Sequence, residues 1–269
     1  MRRRSLLLTP VVAALAAACG RGEEEDADRM PDAQGVRRVR YGSDPSQFGD
    51  LHLPDGEPLG LAVIVHGGFW RAQYGLDLGT PLAESLRDRG WAAWNIEYRR
   101  VGNGGGVPAT LDDVRAAIAK TADFDLGVET VVGIGHSAGG HLVTWAGGDP
   151  QGGVLTHVIS QAGVVDLATA AAGNLGSGAV AAFLGHPYGP DDRDVDPIAM
   201  LPIDVPVWCV HGTDDTIVPI SQSEAYVAAA TDAGGTAELV RVDGDHFVVI
   251  DPDSAAWART LEILDGILA

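Results

Sequence analysis

The sequence predicts an α/β fold, with a mostly parallel sheet of about eight strands and helices on both faces. Short apolar runs rich in β-branched residues recur along the chain, and helix-like stretches separate most of them. The chain has 269 residues, of which 46% are hydrophobic, and this is enough material for a packed core. We therefore expect one α/β domain from about residue 36 to residue 269, without a second domain boundary.

The elements follow one another in a regular order. Two runs of alternating polarity, at residues 36–41 and 48–53, predict an antiparallel hairpin at one edge of the sheet. Strands of the parallel part are expected at 61–65, 91–96, 130–134, 156–160, 205–210 and 237–242. Helices are expected at 80–89, 111–122, 221–233 and 254–268. This alternation indicates parallel strands joined by covering helices.

The first residues are typical of an export signal. Three arginines at 2–4 precede a largely apolar run that ends in small residues, and this run is too short to span a membrane. Residues 15–20 read Leu-Ala-Ala-Ala-Cys-Gly, which resembles the lipobox of bacterial lipoproteins, where the cysteine is lipidated. The resemblance implies a signal peptide at 1–18, a lipidated Cys19, an acidic tether at 19–35 and a cell-envelope location. The alternative is an ordinary signal cut near Ala18 and a soluble secreted or periplasmic protein.

Composition excludes several classes of function. The chain carries 18 Lys and Arg against 37 Asp and Glu, a formal charge of −19, which disfavours binding to nucleic acid. Its sequence has no H-E-x-x-H motif, no paired cysteines and no histidines at metal-ligand spacing, so we expect neither a metal nor a cofactor. The second cysteine, Cys209, lies in an apolar run and is expected to be a buried, inert thiol.

Residues 135–139 have the pattern of a nucleophile elbow. They read Gly-His-Ser-Ala-Gly, a G-x-S-x-G motif centred on Ser137, between an apolar run and a helix-like stretch. Small neighbours let a serine hydroxyl project from a strained turn, and a helix N-terminus favours negative charge that develops beside it. Ser137 is therefore the candidate nucleophile. The alternative is a structural turn rich in glycine.

A serine nucleophile needs a base and an acid that orients the base. Among eight histidines, His246 is the candidate base because it follows the run at 237–242 in a polar turn. The side chain of His136, beside Ser137, is expected to point elsewhere. The preceding strand ends in the turn 211–219, where Asp214 and Asp215 are adjacent and composition does not separate them.

An oxyanion hole is expected after the strand at 61–65. Residues 66–70 read His-Gly-Gly-Phe-Trp, and consecutive glycines let backbone N–H groups turn toward a substrate. We expect the N–H groups of Gly68 and Phe69 to act together with that of Ala138. His66 is expected to brace this loop.

Together, the segments HGGFW, GHSAGGHL, HGTDDTIVP and GDHF resemble the α/β-hydrolase superfamily over roughly residues 60–265. They are most similar to small serine esterases and the arylformamidase-like (kynurenine formamidase-like) branch. The resemblance implies a metal-independent hydrolase of small-molecule esters that forms an acyl-enzyme on Ser137. In the family's HG-T-x-D-x-x-V-P pattern the acid is the fifth residue, which is Asp215 here.

The substrate stays open between several classes. Any lid should lie within residues 164–204, whose small and polar composition disfavours a long-chain lipid substrate and favours small or aryl carboxylic esters. Trp70 and Tyr74 are candidates to line the pocket, as is Phe69, with core packing the alternative for each. Other functions to be tested are an arylformamidase, a prolyl-oligopeptidase-like peptidase, for which the chain has no gating propeller, and a non-catalytic binding lipoprotein. Ester, formamide and proline-amide substrates distinguish them.

Overall fold

The computed structural model describes residues 35–269, which contain one sheet of eight strands in the order β1-β2-β4-β3-β5-β6-β7-β8. The strands are β1 Val36–Arg40, β2 Phe48–His52, β3 Leu61–Val65, β4 Ala92–Ile96, β5 Val131–His136, β6 His157–Gln161, β7 Val207–Gly212 and β8 Ala237–Val242. Strand β2 pairs antiparallel with β1 and β4, and all other neighbouring pairs are parallel. The predicted fold class is confirmed, and the hairpin lies at one edge of the sheet.

Helices connect most of the parallel strands. Within the described residues, the α-helices are α1 Thr80–Arg87, α2 Ala109–Ala119, α3 Ala138–Gly148, α4 Leu167–Ala172, α5 Ala179–Leu184, α6 Ser221–Asp232 and α7 Ala255–Leu268. Short 3₁₀ turns lie at Leu76–Leu78, Lys120–Phe124, Pro190–Asp192, Pro197–Met200 and Val248–Ile250.

Most bounds differ from the predicted ones by only a few residues. The helix expected at 111–122 begins at Ala109 and ends as the 3₁₀ turn Lys120–Phe124. The strand expected at 205–210 is Val207–Gly212. Its late start follows from Pro206, which has no N–H to donate to a strand ladder.

The two short helices α4 and α5, between β6 and β7, were not predicted. Each has six residues rich in alanine, too few to show helical periodicity. The carboxylate of Asp166 caps α4 by accepting a hydrogen bond from the Thr169 N–H at 2.9 Å. Buried Asp196 accepts bonds from the Leu167 N–H at 2.9 Å and the Tyr188 hydroxyl at 2.8 Å. These carboxylates attach the segment to the body of the domain.

Hydrophobic cores lie on both faces of the sheet. Strand β3 is buried along its whole length and contributes alternate residues to the two cores. Leu61, Val63 and Val65 belong to one core, whereas Ala62 and Ile64 belong to the other. This alternation is the two-residue period of a strand covered on both sides.

The prediction of a buried Cys209 is confirmed, whereas the predictions for the N-terminal segment are not tested. Cys209 is a free, fully buried thiol, and burial raises its pKa to about 12. No helix within residues 35–269 is long and apolar enough to cross a membrane. The predicted signal peptide, Cys19 and all of the acidic tether except Gly35 lie outside the described residues, so those predictions stay predictions.

Candidate active site

The candidate catalytic residues all follow the carboxyl ends of parallel strands. Ser137 comes directly after β5, Asp215 after β7 and His246 after β8. The candidate oxyanion loop follows β3, which pairs with β5. Parallel strands present their carboxyl ends at the same edge of a sheet, so four segments far apart in sequence meet there.

Ser137 occupies a strained turn between β5 and α3. Its backbone lies at φ 55° and ψ −116°, a conformation that side-chain-bearing residues rarely adopt. Its N–H donates to the Gln161 carbonyl at 2.8 Å, which fixes the turn to β6. A Cβ on Gly135 or Gly139 would lie within 3.0 Å of backbone atoms, so both positions require glycine. The strain is thus held in place by close packing on both sides of the serine.

A short hydrogen bond joins the candidate base to a buried carboxylate. The Nδ1 of His246 lies 2.6 Å from the Oδ2 of Asp215, and the Asp215 side chain has no exposed surface. The other oxygen, Oδ1, accepts the N–H groups of Ile217 at 2.8 Å and Val218 at 2.9 Å. A carboxylate only accepts, so Nδ1 carries the proton and Nε2 of His246 is left to accept one.

Asp215 is held as an anion despite its burial. Burial alone would raise the pKa of this carboxyl group. Hydrogen bonds from His211 and His246, together with the Val218 N–H, outweigh that effect and hold the pKa of Asp215 well below its usual range. The anion can therefore stabilise a positive charge that forms on His246.

Of the two aspartates that composition left open, Asp215 is the one that contacts His246. Asp214 is exposed, and its backbone N–H donates to the Gly244 carbonyl at 2.9 Å. In the histidine's own loop, Asp243 and Asp245 are also exposed, and Asp245 accepts the Phe247 N–H at 2.9 Å. These three side chains therefore face solvent or shape turns.

His136 connects the nucleophile turn to the loop of the base. Its Nε2 donates to the His246 carbonyl at 2.9 Å, and the two ring centroids lie 4.5 Å apart. Burial, followed by the charge of His246, lowers the pKa of His136 to about 3. His136 therefore stays neutral and positions the loop of His246. Sequence reasoning missed this role, because only the tertiary fold brings the two histidines together.

The candidate oxyanion loop packs against the nucleophile. Gly68, Phe69 and Trp70 all have positive φ angles, of 109°, 54° and 55°. Within the described residues, the N–H groups of Gly68, Phe69 and Ala138 donate no hydrogen bond. A Cβ on Gly67 would lie 3.0 Å from the Cβ of Ser137, so the loop backbone lies directly beside the serine. Such N–H groups are suited to bind an oxyanion.

A buried cluster of His66, Glu97 and Arg100 braces this loop. His66 stacks on Tyr98 with ring centroids 4.4 Å apart, and its Nε2 lies 3.2 Å from the Oε1 of Glu97. The same Glu97 oxygen lies 3.2 Å from Arg100, whose guanidinium also donates to the carbonyl of Tyr74. Sequence reasoning assigned His66 to bracing the loop but missed Glu97 and Arg100, which no local pattern identifies.

The aromatic side chains predicted to line a pocket are not equivalent. Trp70 has no exposed surface and stacks on Phe183 with ring centroids 4.6 Å apart. It therefore belongs to the core, which was the alternative expected for it, and it does not line an open pocket. Tyr74 is 43% exposed and packs over Gly68, Phe69 is half-buried, and Phe247, beside the base, is 52% exposed. The exposed aromatics therefore flank the site.

Across residues 35–269 no group of three or more His, Cys, Asp or Glu side chains is arranged to hold a metal ion.

A mostly parallel sheet with an elbow serine after β5, an acid after β7 and a histidine after β8 is the architecture of the α/β-hydrolases. The model of the BD-FAE family matches residues 50–229, which is more than half of the chain. The protein belongs to the BD-FAE family.

Two curated bacterial proteins are similar in sequence. Uncharacterized protein YfhR of Salmonella typhimurium is 31% identical over 187 residues, which cover 66% of this chain and 62% of YfhR. Esterase LipQ of Mycobacterium tuberculosis is 28% identical over 241 residues, covering 80% of this chain and 55% of LipQ. The chain thus spans about three fifths of the length of these relatives.

Solved structures share the fold at lower identity. A truncated carbohydrate esterase from gut microbiota superposes with a TM-score of 0.72 at 22% identity, covering 88% of this chain and 99% of that one. Native esterase 2 of Thermogutta terrifontis gives a TM-score of 0.71 at 23% identity, covering 90% and 96%. At this identity the similarity establishes the fold.

Proposed function

We propose that this protein is a serine hydrolase that cleaves small or aryl carboxylic esters through an acyl-enzyme on Ser137. The observation that carries the proposal is the 2.6 Å hydrogen bond from His246 to buried Asp215, at the sheet edge where Ser137 occupies a strained elbow. Membership of the BD-FAE family, similarity to esterase LipQ and the folds of known esterases support it.

The geometry suits a two-step acyl transfer. The Oγ of Ser137 attacks the ester carbonyl carbon while Nε2 of His246 accepts the hydroxyl proton. The carbonyl oxygen becomes an oxyanion, which accepts hydrogen bonds from the N–H groups of Gly68, Phe69 and Ala138. His246 then gives its proton to the leaving alcohol oxygen as the C–O bond breaks. A water molecule attacks the acyl-enzyme by the same path and releases the acid.

The residues around Ser137 favour compact substrates. Ser137 is only 2% exposed, and the segment between β6 and β7 packs over the domain instead of presenting a broad apolar face. Phe183 from this segment is fully buried, whereas Tyr74 and Phe247 expose aromatic surface. Aromatic side chains stack on aryl groups, so esters with a short acyl chain or an aryl group are the proposed substrates.

The experiment compares hydrolysis of p-nitrophenyl esters of increasing chain length, aryl and acetylated-sugar esters, N-formylkynurenine and a proline amide. Protein lacking residues 1–19 is used. We expect the highest kcat/KM on a short-chain or aryl ester and labelling by a fluorophosphonate probe. Ser137→Ala should remove nearly all turnover and labelling while leaving the circular dichroism spectrum unchanged.

Each other result has a defined meaning. A dominant activity on N-formylkynurenine would replace the ester proposal by an arylformamidase, and cleavage of the proline amide would favour a peptidase. Labelling of Ser137→Ala at the wild-type rate would refute the nucleophile. A folded wild type that turns over no substrate and binds no probe would favour a binding lipoprotein.

We further propose that the protein is held at the cell envelope through a lipidated Cys19. The basic and apolar residues before Cys19 and the acidic stretch after it support this location. Two or more acyl chains are needed for firm attachment, because a single chain binds a membrane only reversibly. Mass spectrometry of the membrane fraction should show a diacylated Cys19 as the first residue. Finding an unmodified Cys19, or a start downstream of it, would contradict the proposal.

A further inference from the structure

A second histidine lies against the acid of the candidate site. His211, near the end of β7, has no exposed surface. Its Nε2 lies 2.9 Å from the Val218 carbonyl oxygen and 3.3 Å from the Oδ2 of Asp215. Its Nδ1 lies 2.7 Å from the hydroxyl of Ser223 on α6. All polar atoms of this ring are therefore used inside the protein.

The partners of His211 determine where its proton lies. The Val218 carbonyl can only accept a hydrogen bond, so Nε2 carries a hydrogen and donates it there. The Asp215 carboxylate, which also only accepts, lies beside the same N–H group. The Ser223 hydroxyl can donate to Nδ1 or accept from it, so it places no constraint on that nitrogen. His211 thus presents an N–H group to Asp215 whether or not Nδ1 is protonated.

His211 contacts the same carboxylate oxygen of Asp215 that accepts the hydrogen bond from the candidate base, His246. Oδ2 of Asp215 lies 2.6 Å from Nδ1 of His246 and 3.3 Å from Nε2 of His211. Oδ1 is occupied by the two N–H groups of the following turn. The carboxylate is thereby fixed in one plane by donors on every side.

Four other titratable groups lie close to the Asp215 carboxylate in the turn, the neighbouring loop or the nucleophile turn. His136, at the end of β5, packs against the ring of His246 and interacts electrostatically with Asp215, His211 and His246. Asp214, from the same turn, and Asp243 and Asp245, from the loop of His246, are exposed to solvent. Among these groups, His211 and His246 are the ones whose ring nitrogens lie against the Asp215 carboxylate, at 3.3 Å and 2.6 Å from its Oδ2.

We propose that His211 is a positioning residue that sets how strongly Asp215 stabilises the protonated form of His246. The inference rests on the proposed function, since it assigns the base of that reaction to His246. An N–H group on Oδ2 draws negative charge away from the bond to His246 and prevents the carboxylate from rotating. Without it, Asp215 holds the imidazolium more tightly, and His246 stays protonated to higher pH.

Two substitutions at one position test this role. The amide of His211→Gln reaches the place of Nε2 and keeps a donor toward Asp215 and Val218. The amide of His211→Asn reaches only the place of Nδ1 and keeps the contact with Ser223. Ser223→Ala is the matched control, because it removes the partner of Nδ1 and leaves the Nε2–H in place.

The readout is kcat/KM between pH 5 and 9 on the best ester substrate. The acid limb of the His211→Asn profile should move to higher pH by about half a unit, the equivalent of one modest hydrogen bond. Its kcat/KM at pH 8, above the acid limb, should also fall about tenfold, because an Asp215 carboxylate that is free to rotate orients His246 less well. His211→Gln and Ser223→Ala should keep the acid limb within about 0.2 units of wild type, an interval set well below that shift. Equal losses in all three variants without a shift of the profile would show a structural role only and overturn the proposal.

A spectroscopic measurement separates this inference from the proposed function. In wild-type protein with ¹⁵N-labelled histidine and no substrate, the Nε2–H resonance of His211 should shift with pH together with the ring resonances of His246. This result is expected even if no ester is hydrolysed, and it does not require the His211→Asn variant to fold. A His211 resonance that does not respond as His246 titrates would overturn the inference, whatever the activity.

Discussion

At the level of single residues, the adjacent aspartates 214 and 215 show how a turn assigns different roles to identical side chains. The Asp215 carboxylate lies under two backbone N–H groups and two imidazoles, whereas the Asp214 side chain faces solvent. Every group that meets Asp215 is a donor, so only a side chain with two accepting oxygens satisfies the site.

Substitution of these two aspartates should therefore have very different effects on catalysis. Asp215→Asn should lower kcat by roughly 10²–10⁴, because the amide NH₂ opposes a donor in either orientation and disfavours the Nδ1–H tautomer of His246. Asp214→Asn should change kcat by less than about tenfold. Both values come from steady-state kinetics on one ester. If Asp214→Asn were the inactive variant, the assignment of the acid would be wrong.

At the level of elements, the strand–turn–helix around Ser137 depends on glycines at which a Cβ would clash with neighbouring backbone. Gly139, in the first turn of α3, packs on the carbonyl groups of Val65 and His66 at the end of β3. The close approach brings the N–H groups of α3 and those of the oxyanion loop to the same place. A side chain here would separate the two elements.

The second prediction uses two helical glycines. Gly139→Ala should destabilise the protein by about 1–3 kcal/mol, since its Cβ would lie within 3.0 Å of backbone oxygen atoms, and should reduce kcat/KM more than any loss of folded protein explains. Gly266→Ala in α7 meets nothing within 4 Å and should be neutral or stabilising by roughly 0.5 kcal/mol. Urea unfolding and kinetics give both quantities. Wild-type kinetics in a folded Gly139→Ala variant would contradict the close packing.

At the level of the whole molecule, buried histidines couple stability to pH. Burial is the main cause that lowers the pKa of His136 to about 3 and that of His141 to about 4. In the unfolded chain a histidine has a pKa of about 6.5. Below that pH the unfolded chain binds protons that the folded protein does not, so stability falls as pH falls.

Lowering the pH should therefore destabilise the folded protein. Each of the two histidines should lower the free energy of unfolding by about 2 kcal/mol between pH 8 and pH 5. Urea denaturation at several pH values measures the change. His141→Gln, which keeps a donor for the Val195 carbonyl, should reduce the pH dependence by about one histidine's share. An unchanged slope in that variant would mean that His141 does not titrate on unfolding in this range.

Patterns within short stretches of the chain were enough to predict the fold class, the approximate positions of the strands along the chain and the candidate serine and histidine. Period-two runs, helix-like stretches and G-x-S-x-G are local, and each reflects backbone geometry that neighbouring residues set. The choice of Asp215 over Asp214 required a resemblance to a known family, since adjacent acids in a turn look alike in sequence. Short helices such as α4 and α5 carry no such periodic signal.

The remaining features were decided by tertiary contacts. Trp70 is in the core because it stacks on Phe183, more than a hundred residues away, and no local pattern shows which side of a loop is covered. His136 is next to Ser137 in sequence, but it contacts the loop of His246 only because β5 and β8 lie in one sheet. Likewise, His211 and His246 share the Asp215 carboxylate only in the folded protein. Burial, shared hydrogen bonds and the resulting charge on Asp215 are properties of this assembled environment, and they arise only when distant strand ends meet.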